Sequence, residues 1–161
     1  MKLFIKIFGW LVCIIFLVLI ALGTAVELKY LPPAETLSAN EIPKKYIDTL
    51  RKENIIGDNE NVYYFYSNGF WSILEDGNLF TDKRVISYEM YEDQFNIYSA
   101  TYNEIEKVEM NRSDDFWRTS EIEIIKTDGS WFILLVDNDN GRDILFLDEL
   151  KKLWGKKTLQ K

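Results

Sequence analysis

Three patterns of apolar and polar residues follow one another along the chain. From position 3 to 26 almost every residue is apolar, and Lys6 is the one charge. The uninterrupted part, residues 7–26, is 20 residues long. As a helix rising ~1.5 Å per residue it would reach about 30 Å, the thickness of bilayer hydrocarbon. It is apolar on all sides, whereas a core helix is one-sided. The expectation is therefore a retained transmembrane anchor over residues 3–26. A cleaved signal peptide competes with it, because Lys2 and Lys6 form a basic start and Gly23-Thr24-Ala25 are small; such peptides usually have an apolar core of only ~7–15 residues. The lysines ahead of the span favour a cytoplasmic N-terminus and a domain outside the cytoplasm.

Pro32-Pro33 cannot continue a helix, so residues 27–39 read as a connector. Residues 40–56 read as a short helix and lead-in. Asn40 is the candidate N-cap, Pro43 lies in the first turn, and Ile42, Tyr46, Ile47 and Leu50 share one face. After Gly57 the period changes to two. Segments 61–67 and 70–76 flank Asn68-Gly69, a strong hairpin signal, and Asp76-Gly77-Asn78 suggests the next turn. Further strands are expected at 78–81, 84–91, 94–102, 105–112, 121–126 and 130–136. Glu92-Asp93 and Thr127-Asp128-Gly129 are the turns, and 113–120 is a polar loop. About seven strands at regular spacing argue a sandwich or barrel. A third pattern closes the chain: Phe146, Leu147, Leu150, Leu153 and Trp154 fall on one helical face, with Gly155 as the expected stop and a basic tail at 156–161.

Seven antiparallel strands followed by one amphipathic helix is the order of the pleckstrin-homology-like fold. The stretch Asp76-Gly77-Asn78-Leu79-Phe80-Thr81-Asp82-Lys83-Arg84-Val85-Ile86-Ser87-Tyr88 resembles the G-x-L-x-L-T-x-x-R pattern of bacterial PH-like and GRAM-type domains. Tyr102-Asn103-Glu104-Ile105-Glu106-Lys107-Val108 resembles their Y-x-x-I-x-x-V strand. The resemblance spans residues 57–155. It implies a mainly β domain with a C-terminal α-helix, built as a seven-stranded, partly open barrel behind one transmembrane helix. It also implies a binding scaffold, without saying for what. Relatives that hold phosphoinositides use Lys and Arg around the first hairpin loop. Here Ser67-Asn68-Gly69 has neither, so phosphoinositide binding is not expected.

Charge narrows the function further. Three lysines against one glutamate leave +2 on residues 1–31, so of the total −7 the remainder carries −9. An acidic domain repels phosphate backbones, which argues against nucleic acid. The chain has no His, so His-dependent nucleophilic triads cannot form, and usual zinc sites lose their ligands. The one cysteine, Cys13, lies inside the apolar run, where it reads as a small apolar residue. No cofactor is expected.

Among polar clusters, Asp137-Asn138-Asp139-Asn140-Gly141-Arg142-Asp143 invites a calcium reading, but its Gly stands at the fifth position rather than the sixth. A solvated turn into a helix is the plainer reading. Glu121/Glu123 and Asp114/Asp115 could serve acid–base chemistry, though strand alternation puts Glu121 and Glu123 on a solvent face. Asn111-Arg112-Ser113 fits a glycosylation sequon, a match short enough to arise by chance. The chain holds 24 aromatic residues, counting Phe, Tyr and Trp. Tyr63 and Phe65 lie on one strand face, Tyr64 and Tyr66 on the other, so one pair needs a cover. The chain's own short helix or a partner could supply it, which makes Tyr64, Tyr66 and the loop residue Trp117 the candidate partner contacts. The expected function is a non-enzymatic, single-pass membrane scaffold binding a protein or peptide, with the lipid bilayer as the anchor's partner. An immunity-type inhibitor of a basic toxin and a carboxylate-dependent envelope hydrolase are the alternatives.

Overall fold

The computed structural model describes residues 2–27, 32, 35–115 and 119–159; within the first helix, the described side chains are those of 7–21, 23 and 24. That helix, α1, runs over Lys2–Glu27. Its described apolar side chains are exposed. Among the described residues, no helix is long and apolar enough to cross a membrane.

The remainder is mainly β with a C-terminal helix. Strand β1 (Leu37–Ser38) and helix α2 (Lys44–Lys52) lead in. Strands β2 (Val62–Tyr66), β3 (Asp76–Thr81), β4 (Arg84–Tyr91) and β5 (Gln94–Thr101) follow, then β6 (Ile105–Asn111), β7 (Ser120–Lys126), β8 (Trp131–Val136) and helix α3 (Arg142–Thr158). The expected single barrel is realised as two antiparallel sheets, one ordered β1-β2-β3-β4-β5 and one β6-β7-β8. No ladder joins them among the described residues. They meet where β8 lies against β3 and β4.

Both faces of the larger sheet are used. Phe80, Val85 and Ala100 look towards the second sheet, where they pack with Ile122, Ile124, Phe132, Leu134, Val136 and the α3 residues Phe146 and Leu150. Leu79, Ile86, Tyr88 and Phe65 look the other way, onto Tyr46 and Leu50 of α2 and onto Ile55 and Ile56. Two small cores thus share one sheet, and burying both is what a twisted sheet with two apolar faces requires.

Several expected boundaries shift. Residues 70–75 form no strand, and β2 pairs directly with β3 across the long loop 67–75. Asn68 and Gly69 lack the positive φ that a tight two-residue turn would need. Gly77 lies within β3 instead of in a turn. It faces Tyr88 across the ladder, and a Cβ there would stand 2.4 Å from the tyrosine ring. The glycine therefore serves a close approach. The turn at Glu92-Asp93 does form, with φ of 47° and 62°, and β4 and β5 pair through Tyr91 and Gln94 on either side. Gly129, at φ 84°, turns β7 into β8. Helix α2 begins after Pro43 rather than at Asn40. Helix α3 passes through Gly155 to Thr158, since a glycine inside a helix costs only ~1 kcal/mol.

Candidate functional site: an acidic cleft with aromatic walls

Strand alternation places Asp76, Asn78 and Phe80 on one face of β3. The register sets Asp76 opposite Glu89, Asn78 opposite Ser87 and Phe80 opposite Val85. On β5, Asn96, Tyr98 and Ala100 continue the same rows. One face therefore changes character along its length. Its Phe80–Val85–Ala100 end is buried under the second sheet, while its Asp76–Glu89 end extends beyond that cover. There a cleft of about 480 Å³ opens, lined among others by Asp76, Glu89, Glu121, Tyr98 and Trp131. Among the described lining residues none is basic.

Like charges directly opposite on neighbouring strands destabilise a sheet. Asp76 and Glu89 form such a pair. Burial pushes the Asp76 carboxyl above its ordinary range, the Asn68 N–H opposes this, and Glu75 and Glu89 push it further up. The Asn68 N–H donates to Asp76 Oδ1 at 2.7 Å, and Ser67 Oγ donates to its carbonyl at 2.7 Å, which hold the β2–β3 loop against the cleft. Ser87 Oγ donates to Asn78 Oδ1 at 2.9 Å, so the polar floor is tied together internally. Tyr98 and Trp131 are both exposed on the walls. Carboxylates beside open aromatic faces suit a cationic group, which gains from charge and from the ring quadrupole together.

The residues singled out from the sequence have mixed placements. Tyr66 is 4% exposed, and Tyr64 is half-buried against Phe80 and Phe146 at ring distances of 5.5 and 5.6 Å. Tyr64 and Tyr66 share one face opposite Phe65, as alternation predicts, whereas a bulge between Val62 and Tyr64 takes Tyr63 out of Phe65's row. Own-chain cover therefore comes from both sides, α2 over Phe65 and α3 over Tyr64. Trp117 lies outside the described residues. Asp143 turns inward, accepting from Arg112 Nε at 3.0 Å and Ser120 Oγ at 2.8 Å, so it does not join its neighbours in a cation loop. No group of three or more metal-binding side chains occurs among the described residues. Glu121 lines the cleft with Asp76 and Glu89, and it also lines an adjoining hollow with Glu123 and Glu109. The signal that could have found the site was the change from Phe80 to Asn78 and Asp76 on one face, together with the opposed Asp76 and Glu89.

Comparison with known proteins yields fold likeness alone. No family model matches the chain, and no curated protein sequence does. Bacterial structures with pleckstrin-homology domains are similar to it. One is a DUF1696 family protein with a pleckstrin-homology domain from Shewanella loihica, with 18% identity and a TM-score of 0.49, covering 77% of this chain and 97% of that one. Another is a pleckstrin homology domain from Shewanella amazonensis, with 18% identity and a TM-score of 0.48, covering 71% and 87%. A third, a PH-domain-containing protein from Exiguobacterium sibiricum, has 17% identity and a TM-score of 0.46, covering 74% and 57%.

Proposed function

We propose that the chain is a single-pass membrane protein that presents a PH-like domain for protein or peptide binding, and that the acidic cleft receives a basic segment of the partner. The observation that carries this reading is the opposed Asp76–Glu89 pair on an uncovered sheet face with aromatic walls. Such an arrangement is costly when empty and is relieved by a cation. Binding is favoured over catalysis because the floor holds no nucleophile–base pair: the Ser87 hydroxyl is engaged by Asn78, and the chain has no His. The PH-like assignment is supported by element order, with strands followed by one amphipathic helix. The anchor is supported by the apolar run of residues 7–26 and by its helical conformation within Lys2–Glu27. The charge bias across the run favours a domain outside the cytoplasm.

The test is a peptide array graded by Lys and Arg content and overlaid with the detergent-solubilised full chain. Retention should rise with basic content and fall with added salt, and the Asp76→Asn/Glu89→Gln variant should lose about tenfold, or ~1.4 kcal/mol. Equal retention of acidic peptides, or undiminished retention by the double variant, would refute the reading. A resident membrane protein and a basic toxin both fit this chemistry, and crosslinking from position 98 in native membranes separates them.

A further inference from the structure

A second feature lies at the same end of the larger sheet and belongs to neither core. Phe70, Trp71 and Tyr91 are 64%, 67% and 65% exposed, with the neighbouring Met90 also exposed. Phe70 and Trp71 are held in place by the loop that carries them. Both of their N–H groups donate to the Glu75 carboxylate, at 2.7 and 3.1 Å. The Met90 N–H donates to the Glu75 carbonyl at 2.8 Å, which ties the loop to β4. Their rings meet edge to face at 4.6 Å. Ordered bracing of two large exposed aromatics costs entropy and leaves apolar area in water.

The register shows what this rim faces. Leu37 pairs with Phe65 and Ser38 with Tyr64, antiparallel. Following the chain backwards from Leu37 to Thr36 and Glu35 therefore leads in the direction in which β2 runs, towards loop 67–75. The β4–β5 turn lies at that end too, since Asp76 opposes Glu89. The connector thus enters the domain beside the aromatic rim. Only residues 28–36 separate Glu27 from Leu37, a reach of about 30 Å even when fully extended.

We infer that Phe70, Trp71, Met90 and Tyr91 form a membrane-contact rim that settles into the interfacial layer of the bilayer holding α1. This rests on the anchor proposed above. Trp and Tyr favour the interface because their rings are apolar and their N–H or O–H groups remain wet. The rim is not built for anionic lipid: residues 53–82 and 85–106 contain no Lys or Arg, while Glu89, Glu92 and Asp93 stand beside it. Contact with zwitterionic lipid through apolar area is what remains. The tether makes a weak contact count, because it keeps the rim at high effective concentration near the surface. Docking in this way would also turn the acidic cleft towards the membrane surface.

The experiment reconstitutes the full chain in phosphatidylcholine vesicles with brominated acyl chains. Trp71 emission is isolated by difference from Trp71→Phe, and Trp10 emission by difference from Trp10→Phe. Bromolipid should quench Trp10 strongly and reduce the Trp71 signal roughly twofold, and Phe70→Ser should weaken the latter. Quenching of Trp10 with none at Trp71 would sink the rim and leave the anchor standing; quenching of neither would sink both. Added phosphatidylglycerol should leave Trp71 quenching unchanged or lower it. A rise that follows the anionic lipid content would overturn the inference in favour of charge-driven contact.

Discussion

The two ends of the five-stranded sheet treat acidic side chains in opposite ways. At the end away from the connector, Glu60 is buried and fully matched. Arg84 Nη2 donates to Glu60 Oε1 at 3.0 Å, Arg84 Nε contacts both oxygens, and Thr81 Oγ1 donates to Oε2 at 2.8 Å. Burial alone would raise the Glu60 carboxyl, but the Arg84 and Thr81 bonds prevail and hold it below its usual range. At the connector end, Asp76 meets Glu89 and is raised. One acid is satisfied within the fold and contributes to its stability. The other is left with a like-charged neighbour, and a charge left over in this way is available to another molecule.

The largest expected effect is at the matched end. Arg84→Ala leaves Glu60 buried and unpaired, and should destabilise the domain by about 3 kcal/mol, lowering Tm on the order of 10 °C. Its pH dependence has a definite sign. A carboxyl lowered in the folded state gives stability that is present above its unfolded pKa and lost as pH falls through the folded value. In Arg84→Ala that contribution is already absent, so its deficit against the wild type should be largest at neutral pH and shrink as the medium is acidified. Thermal melts over an acid series check both points. An unchanged melt would erase the distinction between the two ends.

A smaller effect of opposite sign is expected at the unmatched end. Asp76→Asn keeps an acceptor for the Asn68 N–H and removes the repulsion across the ladder. It should stabilise the domain at neutral pH by about 0.5 kcal/mol, a modest figure because the group is half solvated. Asp76 is raised, so the wild type gains stability below the unfolded value of 3.8 and loses it as pH rises through the folded one. The advantage of Asn should thus vanish in acid. Chemical denaturation at two pH values reads this directly. A destabilised Asn variant would mean that the carboxylate serves the fold.

The distinction was only partly legible in the sequence. Period-two alternation located the strands, and the apolar stripe of α3 located its core face, because both follow from repeating geometry. The hairpin signal at Asn68-Gly69 misled, since the loop there is held by side-chain contacts: Glu75 and Asp76 accept its backbone N–H groups, and Tyr88 Oη donates to the Ile73 carbonyl at 2.5 Å. Gly77 read as a turn residue because turns and ring-over-backbone contacts both call for glycine. Tyr64 and Tyr66 share one strand face as alternation predicts, but that α3 packs on Tyr64 is a long-range contact with no local signature. The opposed Asp76 and Glu89 were visible as residues, but their meeting depends on register, which a 13-residue separation does not disclose.

The smallest expected effect shows that the connector end does not lack a cation. Arg142 stands at the start of α3, donates to the Thr36 carbonyl, and reaches both Glu41 oxygens at 3.0 and 3.2 Å. Ser38 N and Oγ also donate to Glu41, at 2.8 and 2.7 Å. The Arg142 bond, with those from Ser38, lowers the Glu41 carboxyl from 4.5 to about 2. This guanidinium fastens the lead-in to the domain and leaves the cleft unneutralised. The clamp is largely solvated, so Glu41→Gln should cost well under 1 kcal/mol. Its contribution is present above pH 4.5 and lost as pH falls towards about 2, so the two proteins should melt alike in strong acid. If Glu41→Gln instead weakened basic-peptide retention as strongly as the cleft variant, Arg142 would have moved into the cleft, and the unmatched acid would be matched after all.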